Sequence, residues 1–301
     1  MPDSLALKGV FNPLTTPFDS TGRVSLARLR ENLERYNRTG LAGYVATGST
    51  GEAILLTLAE TEAVWQAVAE GAATGRILIA GTAAESTGET IARTRRAAEF
   101  GYSVALVRTP HYFRARMTDA ALERYYLSVA DASPIPLLVY SIPQNTGITV
   151  EAPLVARLAS HPNILGIKDS SGSVQRVAEM VRAVPERIQV LTGSASAIFP
   201  ALMVGVAGGI MALADVLPEE CVELYEAVVA GRYGEARRLQ ERILAASSLL
   251  VSRYGVPAIK YALDRLGYYG GPVREPLLPP SEDACREIDE ALSALRAEVR
   301  G

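Results

Sequence analysis

Eight apolar runs rich in Val, Ile and Leu, each followed by a segment of helical period, predict an α/β fold of the (β/α)8 or TIM-barrel class with a helical C-terminal extension. The apolar runs lack strict alternation, which fits parallel strands covered by helices on their outer face. A doubly wound sheet is the competing arrangement. It would more often place a Gly-rich phosphate loop after the first strand, whereas this chain reads Pro13-Leu14-Thr15-Thr16-Pro17-Phe18, with no GxGxxG.

Strands are expected at 9–15, 43–47, 77–81, 104–108, 137–141, 165–168, 189–192 and 208–212. Helical period fills the intervals at 25–38, 58–71, 88–100, 118–131, 150–159 and 174–184. Ser25 and Thr118 stand where an N-cap is needed, each just before an apolar-periodic stretch. After the eighth strand the chain is too long for one closing helix, and 218–230, 233–251, 256–266 and 281–299 all read as helices. Between the last two, Gly267-Tyr268-Tyr269-Gly270-Gly271-Pro272 has the composition of a rigid, aromatic-bearing loop. No linker interrupts the chain. Residues 1–217 form the barrel core, and residues 218–301 add the eighth helix and the extension to the same domain.

Apolar residues make up 49% of the 301 and charged residues 21%, the balance of a globular enzyme with a large core. A net charge of −3 argues against nucleic acid or an anionic membrane as partner. No apolar stretch approaches the ~20 residues a bilayer span requires. Met1-Pro2-Asp3-Ser4-Leu5 lacks the basic and apolar regions of a secretion signal, so a cytoplasmic protein is expected. Cys221 and Cys285 have no CxxC spacing, and His111 and His161 form no HxH or HExxH pattern. No metal is expected, because a zinc site needs several such ligands converging.

Arginine has replaced lysine almost throughout: Lys and Arg total 30, of which Lys8, Lys168 and Lys260 are the lysines. Lys168 ends the sixth apolar run, Asn163-Ile164-Leu165-Gly166-Ile167-Lys168. Arginine stays protonated, whereas a desolvated lysine can lose its proton and attack a carbonyl. In (β/α)8 barrels reactive groups sit at the C-terminal ends of strands. Tyr140 ends the fifth strand, and neighbouring strands lie about 4.8 Å apart. Alternation groups Leu138 with Tyr140, and Ile164 and Gly166 with Lys168. If those faces are interior, the phenol and amine share one volume, with Gly166 leaving room for the lysine stem. Lys168 reads either as a Schiff-base nucleophile or as a snorkelling lysine at a strand end. Tyr140 reads either as a proton relay or as a rim aromatic.

The loop Gly48-Ser49-Thr50-Gly51-Glu52 follows the second strand. Its amides and hydroxyls suit a carboxylate nest, while a capped Gly-rich turn explains the same residues. It lacks the P-loop pattern. Glu52 reads as a structural turn or helix-start residue rather than an acid catalyst, and His111 as a residue packed at the mouth.

Taken together, Pro13–Phe18, Gly48–Glu52, Tyr140-Ser141-Ile142-Pro143 with Thr146-Gly147, and Gly166-Ile167-Lys168-Asp169-Ser170 resemble the dihydrodipicolinate synthase and N-acetylneuraminate lyase superfamily of class I pyruvate aldolases, over essentially the whole chain. The resemblance implies a Schiff base between Lys168 and an α-keto acid, Ser49 and Thr50 on its carboxylate, and Tyr140 moving protons. It also implies that the backbone of Ile210 lines the pocket and that Tyr112 enters the site of an adjacent subunit of a homodimer or homotetramer. No cofactor is implied. Dihydrodipicolinate synthases usually carry an arginine where Asn145 stands, and sialate lyases carry acidic residues where Ser194-Ala195-Ser196 stand. The 4-hydroxy-2-oxoglutarate aldolase branch resembles this chain more closely at 140–147, 193–195 and 267–272, although it often has Asn in place of Thr50. The expected reaction is cleavage of 4-hydroxy-2-oxoglutarate to pyruvate and glyoxylate, with Ser170, Ser194 and Asn145 as candidates for the distal carboxylate. The alternatives are 4-hydroxy-tetrahydrodipicolinate synthesis, a sugar-acid aldolase or dehydratase, and a non-catalytic keto-acid-binding barrel.

Overall fold

The computed structural model describes residues 5–298, so the amino-terminal five-residue motif is covered only at Leu5, and Val299 of the expected last helix lies outside. The chain begins with β1 (Gly9–Asn12), α1 (Leu26–Tyr36), β2 (Gly43–Ala46), α2 (Leu58–Gly71), β3 (Ile77–Gly81) and α3 (Thr87–Glu99). It continues with β4 (Val104–Arg108), α4 (Asp119–Ala132), β5 (Leu137–Ser141), a short α5 (Pro143–Thr146), α6 (Ala152–Leu158) and β6 (Ile164–Asp169). Next come α7 (Val174–Ala183), β7 (Gln189–Thr192), α8 (Ile198–Met203) and β8 (Gly208–Ile210). The eight strands close into a barrel in sequence order, and every neighbouring pair is parallel. The (β/α)8 expectation holds.

Strand side chains sort by parity. Phe11, Val45, Ile79, Leu106, Leu138, Leu191 and Ile210 fill the barrel, while Ala105, Val107, Val139 and Val190 face the helices. β1 stops at Asn12, short of the expected residue 15, because Pro13 has no N–H for the ladder. Parity fails once. Between Leu137 and Leu138 the register with β6 shifts, pairing Leu137 with Ile164 but Leu138 with Gly166. The residue passed over, Leu165, packs toward the interior cluster, and Ile164 joins the outer one. The expected face of Ile164, Gly166 and Lys168 is therefore corrected for Ile164: a bulge puts two residues opposite one.

Gly166 also has a different role from the one expected. A Cβ there would lie 1.9 Å from the Gln189 carbonyl, so the glycine permits close approach of β7 rather than clearing space for the lysine. Of the two expected caps, Thr118 accepts from the Ala121 N–H at 3.3 Å. Ser25 occupies the N-cap position without a side-chain bond.

After β8 come the eighth barrel helix, α9 (Pro218–Val229), and the extension, α10 (Tyr233–Ala246), α11 (Val256–Arg265) and α12 (Glu282–Glu298). Between α10 and α11, Ser247–Arg253 continues as π-helix, where the expectation was regular helix to residue 251. A π-turn changes the helical phase and so the face each side chain presents, and Val251 lines the central cavity. The Gly-Tyr-Tyr-Gly-Gly-Pro strap folds back onto α1. Tyr268 stacks on Tyr36 at 4.8 Å, and the Asn32 side chain bonds both the N–H and the C=O of Tyr269 at 2.8 Å. A Cβ at Gly270 would lie 1.9 Å from the Lys260 carbonyl, so the strap approaches α11 too closely for any other residue. Among the described residues no helix is long and apolar enough to cross a membrane.

Asp215, just past β8, is fully buried, and no cation among the described residues acts on it. It accepts from the Thr15 N–H at 3.3 Å and, with the Asn12 amide nitrogen turned toward it, from Asn12 at 3.1 Å. Burial pushes its carboxyl well above the usual range, more than these hydrogen bonds lower it. The folded state therefore holds the proton longer than the unfolded chain. Stability from this group is complete below the unfolded value near 3.8 and is lost as pH rises toward the raised folded value. Each pH unit within that window costs about 1.4 kcal/mol. Asp215→Asn should therefore raise the thermal midpoint at pH 8 and lose that advantage near pH 4. A gap between variant and parent that does not change with pH would contradict this account of Asp215.

Candidate active site

β5 and β6 set the centre of the site. Tyr140 and Lys168 are direct register partners at the C-terminal ends of these strands. Both are 5% exposed. The Lys168 Nζ lies 4.2 Å from the centroid of the Tyr140 ring, and among the described residues no carboxylate is within ion-pair distance of it. The two side chains face the same volume, as expected if both strands turn these residues inward.

That volume is a cavity of about 280 Å3 whose wall includes Ser49, Thr50, Tyr140, Asn145, Lys168, Ser170 and Ile210. Seven of the nine expected site residues thus meet in one place. Val251, Gly255, Val256 and Ile259 close it from the extension, a contribution with no motif to announce it. Gly193 makes the lysine fit: a Cβ there would lie 1.9 Å from Ser170 Oγ and 3.1 Å from Lys168 Cε.

Two expected residues lie elsewhere. Ser194 is not in the cavity wall, and its hydroxyl shares a 2.8 Å hydrogen bond with Ser196. Tyr112 is 79% exposed, with its ring edge-on to Phe113 at 5.1 Å, outside the cavity of its own chain. Its backbone N–H donates to Glu85 Oε2 at 2.9 Å, and that of His111 donates to the same oxygen at 2.8 Å. Glu85 also meets Arg108 at 3.0 Å and His111 Nδ1 at 2.9 Å. Burial raises the Glu85 carboxyl, but the two amides, Arg108 and His111 together bring it below the usual range. Arg108 is in register with Tyr140, and its parity with Val104 and Leu106 places it at the barrel mouth.

The Gly48–Gly51 loop is held between Thr47 and Glu52, both at φ 54°, the positive-φ residues other than glycine among those described. Each such residue stores about 1–3 kcal/mol of strain unless its surroundings hold it. Thr47 is held by the Trp65 indole N–H, which donates to its Oγ1 at 2.7 Å. Thr16 donates to the Gly51 carbonyl at 2.7 Å. Gly51 has no room for a side chain, since a Cβ would meet the Leu14 carbonyl at 2.9 Å. Glu52 Oε2 accepts from the Arg274 N–H at 2.8 Å, and Oε1 has an ionic contact with Lys260 Nζ at 2.5 Å. The Ser49 and Thr50 hydroxyls make no hydrogen bond to any described residue, which leaves them free for a ligand.

An eight-stranded barrel with a buried lysine and tyrosine paired at its mouth, beside a loop of free hydroxyls, has the architecture of the pyruvate-dependent class I aldolases. The chain belongs to the dihydrodipicolinate synthetase family, whose model matches residues 6–295. It is 35% identical over 292 residues to a 4-hydroxy-tetrahydrodipicolinate synthase of an Exiguobacterium species, covering 97% of this chain and 99% of that one. It is 34% identical over 290 residues to a probable mitochondrial 4-hydroxy-2-oxoglutarate aldolase of Emericella nidulans, covering 95% and 94%. Among solved structures, the dihydrodipicolinate synthase of Acinetobacter baumannii complexed with pyruvate superposes with a TM-score of 0.92 at 29% identity, covering 96% of this chain and 99% of that one. Members of this family are pyruvate-dependent class I aldolases and lyases, and this chain is an enzyme of that class.

Gly193→Ala tests the packing argument. The added methyl group must displace Ser170 or Lys168, so turnover should fall roughly 10-fold or more with little change in thermal midpoint. Unchanged turnover would show that the glycine is not needed for the lysine's placement.

Proposed function

We propose that the enzyme cleaves 4-hydroxy-2-oxoglutarate to pyruvate and glyoxylate, and runs the reverse addition, through a Schiff base on Lys168. The observation that carries this is the register pairing of Tyr140 with Lys168, with Nζ 4.2 Å from the phenol ring, in a cavity walled by Ser49 and Thr50. Unprotonated Lys168 adds to the C2 ketone held by its C1 carboxylate on Ser49 and Thr50. The Tyr140 proton leaves with the carbinolamine hydroxyl as water, giving an iminium and a phenolate. The phenolate takes the C4 hydroxyl proton while the C3–C4 bond breaks. The bonding pair moves into the iminium, giving an enamine and releasing glyoxylate. Tyr140 then protonates C3, and water addition frees pyruvate and the amine. The iminium is the electron sink throughout.

Asn145 in the cavity wall supports this member of the family. It offers an uncharged amide where dihydrodipicolinate synthases usually carry an arginine, two residues past the proline of a Tyr-x-x-Pro motif. Asn145 and Ser170 are placed to hold the distal carboxylate. Ser194 would need a shift of its bond to Ser196 to contribute. The 35% identical relative named 4-hydroxy-tetrahydrodipicolinate synthase favours a second reading, with aspartate semialdehyde as the acceptor.

The exposed Tyr112–Phe113 pair supports an oligomer, a homodimer or a homotetramer, in which Tyr112 reaches the neighbouring site. An aromatic pair this exposed beside a cavity mouth is an ordinary anchor for an interface.

Borohydride reduction with pyruvate should leave a stable adduct on the peptide carrying Lys168. Lys168→Arg should abolish it and lower turnover about 1,000-fold or more. An adduct elsewhere, or none, would remove the Schiff-base reading. With pyruvate as donor, glyoxylate should be preferred over aspartate semialdehyde and small sugar aldehydes. Preference for aspartate semialdehyde would select the second reading. For the shared site, Tyr112→Ala and Lys168→Ala should each be nearly inactive alone, while unfolding and reassembling them together should restore activity in mixed oligomers. A mixture as inactive as its parts would confine each site to one subunit.

A further inference from the structure

Lys260 and Glu52 take no part in the chemistry above, yet they form the deepest ion pair in the described structure. Their side chains are each 1% exposed and 2.5 Å apart. They belong to distant parts of the chain. Glu52 directly follows the Gly48–Gly51 loop and is held at φ 54°. Lys260 lies in α11, next to Ile259, which lines the cavity.

Each partner is tied down further. Lys260 Nζ donates to the Pro272 carbonyl of the strap at 2.8 Å and sits 4.2 Å over the Phe18 ring. Glu52 accepts from the N–H of Arg274, two residues past the strap. Arg274 then reaches the Leu55 carbonyl at 2.9 Å and Glu60 at 2.7 and 2.8 Å, on the far side of the loop. Burial lowers the Lys260 amine, and Glu52 partly restores it.

This arrangement is more than a fold staple. A buried ion pair adds little net stability against apolar replacements, and its better-attested use is to specify one geometry. The geometry specified here is a left-handed backbone two residues from Thr50. Released from its partners, Glu52 would relax toward ordinary φ and move the Ser49 and Thr50 donors out of the cavity.

We propose that Lys260 and Glu52 are a positioning pair that holds the Ser49–Thr50 loop in its carboxylate-binding form, making α11 and the strap part of the keto-acid subsite. The proposal rests on the reading that this loop binds the keto-acid carboxylate.

The test uses Lys260→Met combined with Glu52→Gln, which removes both charges while keeping the side-chain shapes, in the full-length protein. Glu52→Gln alone, which leaves Lys260 its Pro272 partner, gives a second reading if the double variant does not fold. Pyruvate-dependent borohydride trapping on Lys168 is the readout. The pyruvate concentration for half-maximal trapping should rise roughly 10- to 100-fold, while turnover at saturating pyruvate stays within about 3-fold of the parent. Ser49→Ala should raise that concentration in the parent but add little in the double variant, because coupled positions are not additive. A fall in thermal midpoint with unchanged pyruvate dependence would make the pair purely structural and overturn the proposal. No effect of Ser49→Ala in the parent would instead show that the reading of the loop had failed.

Discussion

Parallel pairing of β5 with β6 is the constraint on which the site depends. From Leu138 to Ser141 the two strands advance residue for residue, so Tyr140 and Lys168 emerge side by side into the barrel. One residue earlier the pairing is bulged. Had Leu165 kept the ladder in step, the side chains below it would have exchanged faces, since a slip of one residue reverses which side each faces. The bulge absorbs the odd residue at the base of the strand. It leaves the last four pairs intact, and Tyr140 with Lys168 is one of them.

The barrel alone does not make the cavity. Its walls are strand ends, but its roof comes from the π-helical Ser247–Arg253 and the start of α11. The C-terminal extension therefore helps desolvate the amine and phenol, which strengthens every polar interaction inside. It also reaches under the hydroxyl loop through Lys260. Two buried lysines thus stand near the hydroxyl loop, Lys168 in the cavity wall with Ser49 and Thr50 and Lys260 against Glu52. Among the described residues Lys168 has no carboxylate within ion-pair distance, and Lys260 is paired with one. That difference in partners separates their tasks, although both are buried.

Strain is concentrated where the ligand is expected. Among the described residues, the two at positive φ other than glycine flank the loop, and each is secured by a buried polar contact, Trp65 to Thr47 and Lys260 to Glu52. Breaking one partner of a buried pair leaves an uncompensated charge worth about 3–5 kcal/mol, enough to hold a backbone that costs less. The loop is thereby fixed before any ligand arrives, which reduces the ordering penalty of binding.

Much of this was legible in the linear chain. Strand order, the strand-end lysine and tyrosine and the hydroxyl loop follow from apolar runs, parity and composition, because these depend on local geometry and on burying one face of each element. What the sequence could not show are relations between residues far apart in the chain. The β6 bulge shows only in pairing with β5, and the role of Gly166 depends on the Gln189 carbonyl 23 positions away. Lys260 meets Glu52 across more than 200 residues. The sequence by itself determined which side chains could react, because reactivity is set by residue type and by position on a strand. The tertiary structure alone decided which of two buried lysines stays free of a carboxylate, because that depends on which distant partner the closed barrel brings to each.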